Sequence, residues 1–145
     1  MKGKGRPKLG TVMICIVSPA RMLLVKDPSF EDAFWKLPGG SIETGDEDAT
    51  TAAIREAEEE TGIKILEAEM ELISAEQKEC ALGKYHPFLF LARVSEEKLD
   101  TRLPIADENG EPMKTEVFKR MQVSTMRGLL EKHRDLVCEA EGVFA

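Results

Sequence analysis

One stretch, Leu37 to Ile63, narrows what this chain can fold into more than any other. It reads LPGGSIETGDEDATTAAIREAEEETGI and passes from a Pro-Gly-Gly turn through a run of acids into a helix bearing Glu56, Glu58, Glu59 and Glu60. At about 100° per residue, Glu56, Glu59 and Glu60 share an arc of about 100°, and Glu58 points elsewhere. Like charges spaced i, i+3 and i+4 destabilise a helix. These three also crowd its C-terminal end, ahead of the stop expected at Gly62, where the helix dipole is already negative. Local rules are broken twice in one place. The simplest remedy is a bound divalent cation with oxygen ligands.

The helix is expected to begin near Asp46 to Asp48, with an aspartate as its cap. Thr50, Ile54, Ala57 and Thr61 form its back face. Ala49, Ala52 and Ala53 lie on the glutamate side one or two turns earlier, small enough for close approach to a sheet. Around this helix the chain reads as strands. Leu9 to Val17 (LGTVMICIV) is apolar and β-branched, and Arg21 to Lys26 follows after a short connection, which suggests a hairpin. Phe34 to Leu37 leads into the glycine turn. Glu67 to Gln77 and Lys84 to Val94 are two further strands, and residues 95–115 make the longest loop. Glu116 to Val123 reads as a short strand. Ser124 is the expected cap of a last helix whose Met126, Leu129, Leu130, His133, Leu136, Val137 and Ala140 keep helical spacing.

At 145 residues, one domain over residues 9–145 is expected, behind a basic tail at residues 1–8. The net charge of −7 argues against a surface for nucleic-acid polymers, but not against nucleotides, because a metal can bridge acidic side chains to phosphates. No apolar run approaches the length of a membrane span, and the first residues lack a signal peptide's apolar core. Cys15, Cys80 and Cys138 are scattered and odd in number, a pattern of reduced thiols in the cytoplasm.

The central stretch resembles the Nudix hydrolases, the MutT-like pyrophosphohydrolases. That family's box is Gly, five residues, Glu, seven residues, then Arg-Glu, an apolar residue, any residue, Glu-Glu, any residue, Gly and an apolar residue. Arg55 to Ile63 matches the second half at every position, with Ala57 and Ile63 in the apolar slots. WKLPGGSIETG looks like the usual approach to the box. The first half departs by one residue, since six residues separate Gly40 from Glu47. Either the loop before Glu47 carries an insertion, or Asp46 takes the glutamate slot with the extra residue at the helix start. Glu47 is preferred, because an insertion costs less in a loop than in a helix.

The resemblance implies a single-domain α/β/α sandwich around a mixed sheet. It implies that Glu56, Glu59 and Glu60, with the carbonyl of Gly40, bind Mg²⁺ or Mn²⁺, and that Gly39 and Glu47 support them. Arg55 would hold Glu47 or Glu56. The implied reaction is attack of water on a diphosphate phosphorus in a nucleotide-like substrate, with Glu56 or an outside acid as base. Glu116 is the choice for that acid, ahead of Asp107, Glu108 and Glu111. Trp35, Phe34 or Tyr85 could stack a nucleobase, and Lys36 could meet a phosphate, although each is an ordinary core or surface residue on composition alone. A homodimer fits the family's habit. The alternative function is a silent copy of the fold that binds a nucleotide or a protein without turnover.

Overall fold

The computed structural model describes residues 10–26, 34–77, 86–103 and 113–144. The basic tail expected over residues 1–8, together with Tyr85, Cys80, Asp107, Glu108 and Glu111, lies outside the described residues.

Strand β1 (Thr11–Val17) and strand β2 (Arg21–Lys26) form the expected hairpin, paired at Ile16↔Leu23 and Val17↔Met22. Both are buried on both faces, which is why their sequences read as continuous apolar runs without alternation. The short strand β3 (Gly39–Ser41) pairs with the first half of β1. Helix α1 (Ala49–Thr61) follows, then a 3₁₀ turn at Glu67–Glu69 and strand β4 (Met70–Ser74). Strand β5 (Phe88–Arg93) lies between β4 and β1, antiparallel to the first and parallel to the second. A short helix α2 (Glu96–Leu99) leads on, and strand β6 (Lys114–Lys119) pairs with β2 along its length. The sheet order is β4-β5-β1-β2-β6, with β3 also on β1.

Two corrections concern the C-terminal part. The strand expected at Glu116 to Val123 ends at Lys119, and Arg120–Val123 turns into a short helix α3. Ser124 closes that helix and does not open the last one; α4 spans Glu131–Phe144. Gly128 takes φ 78°, a left-handed value that ends any helix there. Leu129 then bridges to Trp35 before α4 begins.

The sheet is covered on both faces. Ala52, Ala53 and Ala57 of α1 pack with Val12, Ile14, Leu23, Val25 and Phe90. Leu136, Val137 and Ala140 of α4 pack with Cys15, Met22, Leu24, Leu89 and Leu91 on the other side. This is the α/β/α sandwich. No helix among the described residues is long and apolar enough to cross a membrane.

Candidate active site at the C-terminal half of helix α1

Helix α1 is set by its two ends. Asp48 is the N-cap, and its side chain accepts from the Thr51 N–H at 2.8 Å. Gly62 is the left-handed C-cap at φ 75°, and its N–H reaches the Glu58 carbonyl. A Cβ at Gly62 would lie 2.2 Å from the Leu103 carbonyl oxygen, so glycine also admits the segment that crosses the helix end. The buried face comprises Ala52, Ala53, Glu56, Ala57 and Thr61. The alanines are thus on the sheet side with Glu56, while Thr50 and Ile54, expected as the back face, are only half-buried.

That phase carries the carboxylates to the glycine turn. Glu56 is buried, and a Cβ on Gly40 would sit 2.6 Å from its Oε1 and 2.7 Å from its Oε2. Only glycine leaves room for the carboxylate against the backbone there. Glu60 Oε1 accepts from the Gly39 N–H at 2.8 Å. Glu59 is half-exposed beside them. Burial pushes the pKa of Glu56 up; the Arg55 charge pulls it down, and Glu59 raises it again.

Arg55 sits at the centre of the acids. Its Nε donates to Asp46 Oδ1 at 3.0 Å and its Nη2 to Asp46 Oδ2 at 2.9 Å. Nη1 donates to Glu56 Oε1 at 3.1 Å and to Glu59 Oε1 at 3.2 Å, and Nη2 also reaches the Ser41 carbonyl at 3.0 Å. Glu43 adds a looser contact at 3.7 Å. One guanidinium therefore faces four carboxylates, which leaves the cluster with a negative excess.

The pairing favours the other of the two alignments. Arg55 pairs with Asp46 and not with Glu47, as the second of the two alignments expects, and the Asp46 side chain is only 5% exposed. Glu47 is exposed. The reason is the cap: with Asp48 fixing the first turn, the extra residue falls at the helix start and turns Glu47 to solvent. Asp46 is further held by the Glu43 N–H at 2.8 Å. The Arg55 bonds, helped by that amide, hold its carboxyl below the usual range. Sequence reasoning had no place for Glu43. The signal for both acids is their spacing of three, which lets an aspartate close a local turn on a backbone N–H.

The other expected residues scatter. Glu116 lies opposite Leu24 on β6, half-exposed, with Arg102 at 3.7 Å. Its register puts it on the sheet face of Leu24 and Phe118, whereas α1 covers the opposite face. The structure therefore does not bring it to the glutamates of α1. Trp35 is partly buried, edge-on to Phe118 at 5.4 Å, with the Lys26 ammonium 4.6 Å from its ring centroid. Phe34 next to it is 48% exposed. The Lys36 backbone pairs with Val25. His133, expected in the apolar stripe, is buried, and its Nδ1 accepts from the Leu37 N–H at 3.1 Å.

Among the described residues, no three His, Cys, Asp or Glu side chains converge closely enough to cage a metal by themselves. What the box offers is a buried carboxylate over a glycine backbone, with a half-exposed carboxylate alongside. Such oxygen donors suit a hard cation, and Mg²⁺ takes few protein ligands, keeping waters and substrate phosphates for the rest.

The comparisons with known proteins give the family and the fold. The Nudix domain family matches residues 7–137. No curated protein matches the chain in sequence. A Nudix-family hydrolase from Clostridium perfringens superimposes with a TM-score of 0.62 at 19% identity, covering 93% of this chain and 97% of that one. The Nudix domain of Shewanella oneidensis NrtR, cocrystallised with ADP ribose, gives 0.72 at 19% identity, with 96% and 90% covered. NrtR of the same organism in complex with a 27mer DNA gives 0.69 at 20% identity, covering 94% of this chain and 62% of that one. At these identities the solved structures speak for the fold alone. The domain match spans most of the sequence and takes in the whole box: the chain belongs to the Nudix family.

Proposed function

We propose that this protein is a divalent-metal-dependent hydrolase that cleaves a diphosphate linkage in a nucleoside diphosphate derivative, such as a nucleoside triphosphate or a dinucleoside polyphosphate. Family membership supports the broad class of pyrophosphate-bond hydrolysis. The observation that carries the finer reading is the Glu56 carboxylate, buried against Gly40 and only partly balanced by Arg55.

Glu56, Glu59 and Glu60 would hold Mg²⁺ or Mn²⁺, together with the Gly40 carbonyl. The bound cation supplies charge neutralisation on the diphosphate and a more acidic water. Arg55 fixes the Glu56 and Glu59 carboxylates through its own anchor on Asp46, and Gly39 fixes Glu60. Glu56 is our choice for the acceptor of the water's proton. Glu116 ranks second, since its sheet face counts against it. Trp35, Phe34 and Tyr85 are the residues proposed to stack a nucleobase and Lys36 to meet a phosphate; Trp35 packs on Phe118 and the α4 side of the sheet, which counts against it as it does against Glu116. Free Cys15 and Cys138 fit a cytoplasmic location.

A catalytically silent nucleotide-binding module is the second reading, favoured by the likeness to the NrtR Nudix domain that was crystallised with ADP ribose. A substrate panel separates the two. Phosphate or pyrophosphate release from nucleoside triphosphates, dinucleoside polyphosphates and nucleoside diphosphate sugars is expected with Mg²⁺ and not with chelator. Ligand binding that needs no metal, with no turnover across the panel, would establish the silent module instead.

A further inference from the structure

The apolar stripe of α4 that faces the sheet is interrupted by one polar residue. His133 is 4% exposed, and Leu136 and Val137, three and four residues on along the same helix, are buried in the core. Packing alone would favour leucine at such a position. The reason for a histidine is found 96 positions earlier in the sequence, where the Leu37 N–H donates to Nδ1 at 3.1 Å.

Leu37 is the last residue before the Pro-Gly-Gly turn. Lys36 spends both its backbone groups on Val25 of β2, N–H to O and O to N–H at 2.9 Å each. Successive residues of an extended chain point their amides in opposite directions, so the Leu37 N–H is turned away from β2. Leu37 is fully buried, and a buried amide needs a partner. No strand supplies one there; α4 does. One residue on, the Pro38 carbonyl accepts from the Ile14 N–H at 2.9 Å, and then Gly39 and Gly40 meet Glu60 and Glu56.

We propose that His133 is a positioning residue for the active site: by accepting the Leu37 N–H it fixes the turn whose Gly39 N–H holds Glu60 and whose Gly40 leaves room for the Glu56 carboxylate. An acceptor at Nδ1 requires the neutral ring protonated on Nε2. The ring's surroundings keep it so, because burial first, then the Lys132 and Lys36 charges, lower its pKa to about 4. Helix α4, an element outside the box, thereby helps to shape the box. The kinetic consequence rests on the hydrolase reading above; the structural consequence does not.

Three variants of the full chain test it. His133→Phe keeps the ring volume and removes the acceptor. His133→Asn places Oδ1 where Nδ1 stood, and His133→Gln moves its acceptor one methylene away. In the Phe and Gln variants, folded by circular dichroism and cooperative melting, amide exchange at Leu37 is expected to accelerate by at least about tenfold. The Gly39 and Gly40 amide resonances shift with it. On a substrate that the wild type hydrolyses, kcat falls by about tenfold with KM within about twofold, while Asn stays within about threefold of wild type on both readouts. A folded Phe or Gln variant with wild-type exchange at Leu37 and unmoved glycine resonances overturns the proposal, as does an Asn variant no better than Phe. If the wild type turns over no nucleotide, the hydrolase reading falls, and the Leu37 and glycine amides still decide the role of His133.

Discussion

Arg55 and Asp46 meet at two points, Nε to Oδ1 at 3.0 Å and Nη2 to Oδ2 at 2.9 Å. This fork is the anchor of the site, because the remaining Arg55 donors reach Glu56, Glu59 and Ser41. A bidentate pair fixes direction as well as distance. The guanidinium is thereby aimed at the carboxylates and cannot swing out to solvent.

Asp46→Ala should therefore lower stability by about 1–3 kcal/mol, less than a fully buried pair costs because Arg55 retains other carboxylates. Glu47→Ala, at an exposed neighbour, should change stability by less than about 0.5 kcal/mol. Denaturant titration of the two variants checks the assignment. Equal losses, or a larger loss at Glu47, would favour the alignment on Glu47 instead.

Gly40→Ala should separate stability from activity. The added Cβ would lie 2.6–2.7 Å from the Glu56 carboxylate, the far end of a flexible side chain that can move aside. The fold should survive with a loss of about 1 kcal/mol or less, while turnover falls by about a hundredfold as Glu56 leaves its place. Gly62→Ala should do the reverse. There the clash is with the Leu103 backbone and φ is 75°, so stability should drop by about 1–3 kcal/mol. Melting temperatures and rates measured side by side give the answer, and a Gly40→Ala enzyme of wild-type rate would remove Glu56 from its position over the turn.

Why the sequence showed some of this and hid the rest can be traced to particular residues. β1 and β2 were readable because they are buried on both faces, so Val12 to Val17 and Met22 to Val25 have nearly no polar interruption. The box was readable because its spacing is local to one helix. The Asp46 pairing was not, since three consecutive acids compete for the cap, and only the Asp48–Thr51 bond decides the phase. The start of α4 was hidden behind a good cap residue at Ser124. What delays the helix is a bridge between Leu129 and Trp35, far apart in the chain. The role of His133 depends on an amide in another element, which no periodicity reveals.

Stability should depend on pH through His133. Its folded pKa of about 4 lies below the unfolded value near 6.5, so the unfolded chain binds the extra proton first. The contribution is fully present above about pH 6.5 and is lost as pH falls toward 4, amounting to about 1–3 kcal/mol. Denaturant unfolding across this window should show the slope in wild type and a shallower one in His133→Asn. Parallel slopes in the two proteins would mean that other groups carry the acid loss.

The central claim is that the carboxylates at the C-terminal half of α1 bind the metal that hydrolysis requires. The most direct test is the turnover of Glu59→Gln and Glu60→Gln, with wild type alongside, on the best substrate of the panel at saturating Mg²⁺ and in chelator. Each substitution keeps the side chain's shape and removes one anionic ligand. The wild type should lose its activity in chelator, and each variant should lose at least about a hundredfold in kcat with its fold intact. Losses below about tenfold in both folded variants, or wild-type turnover that survives chelation, would contradict the account.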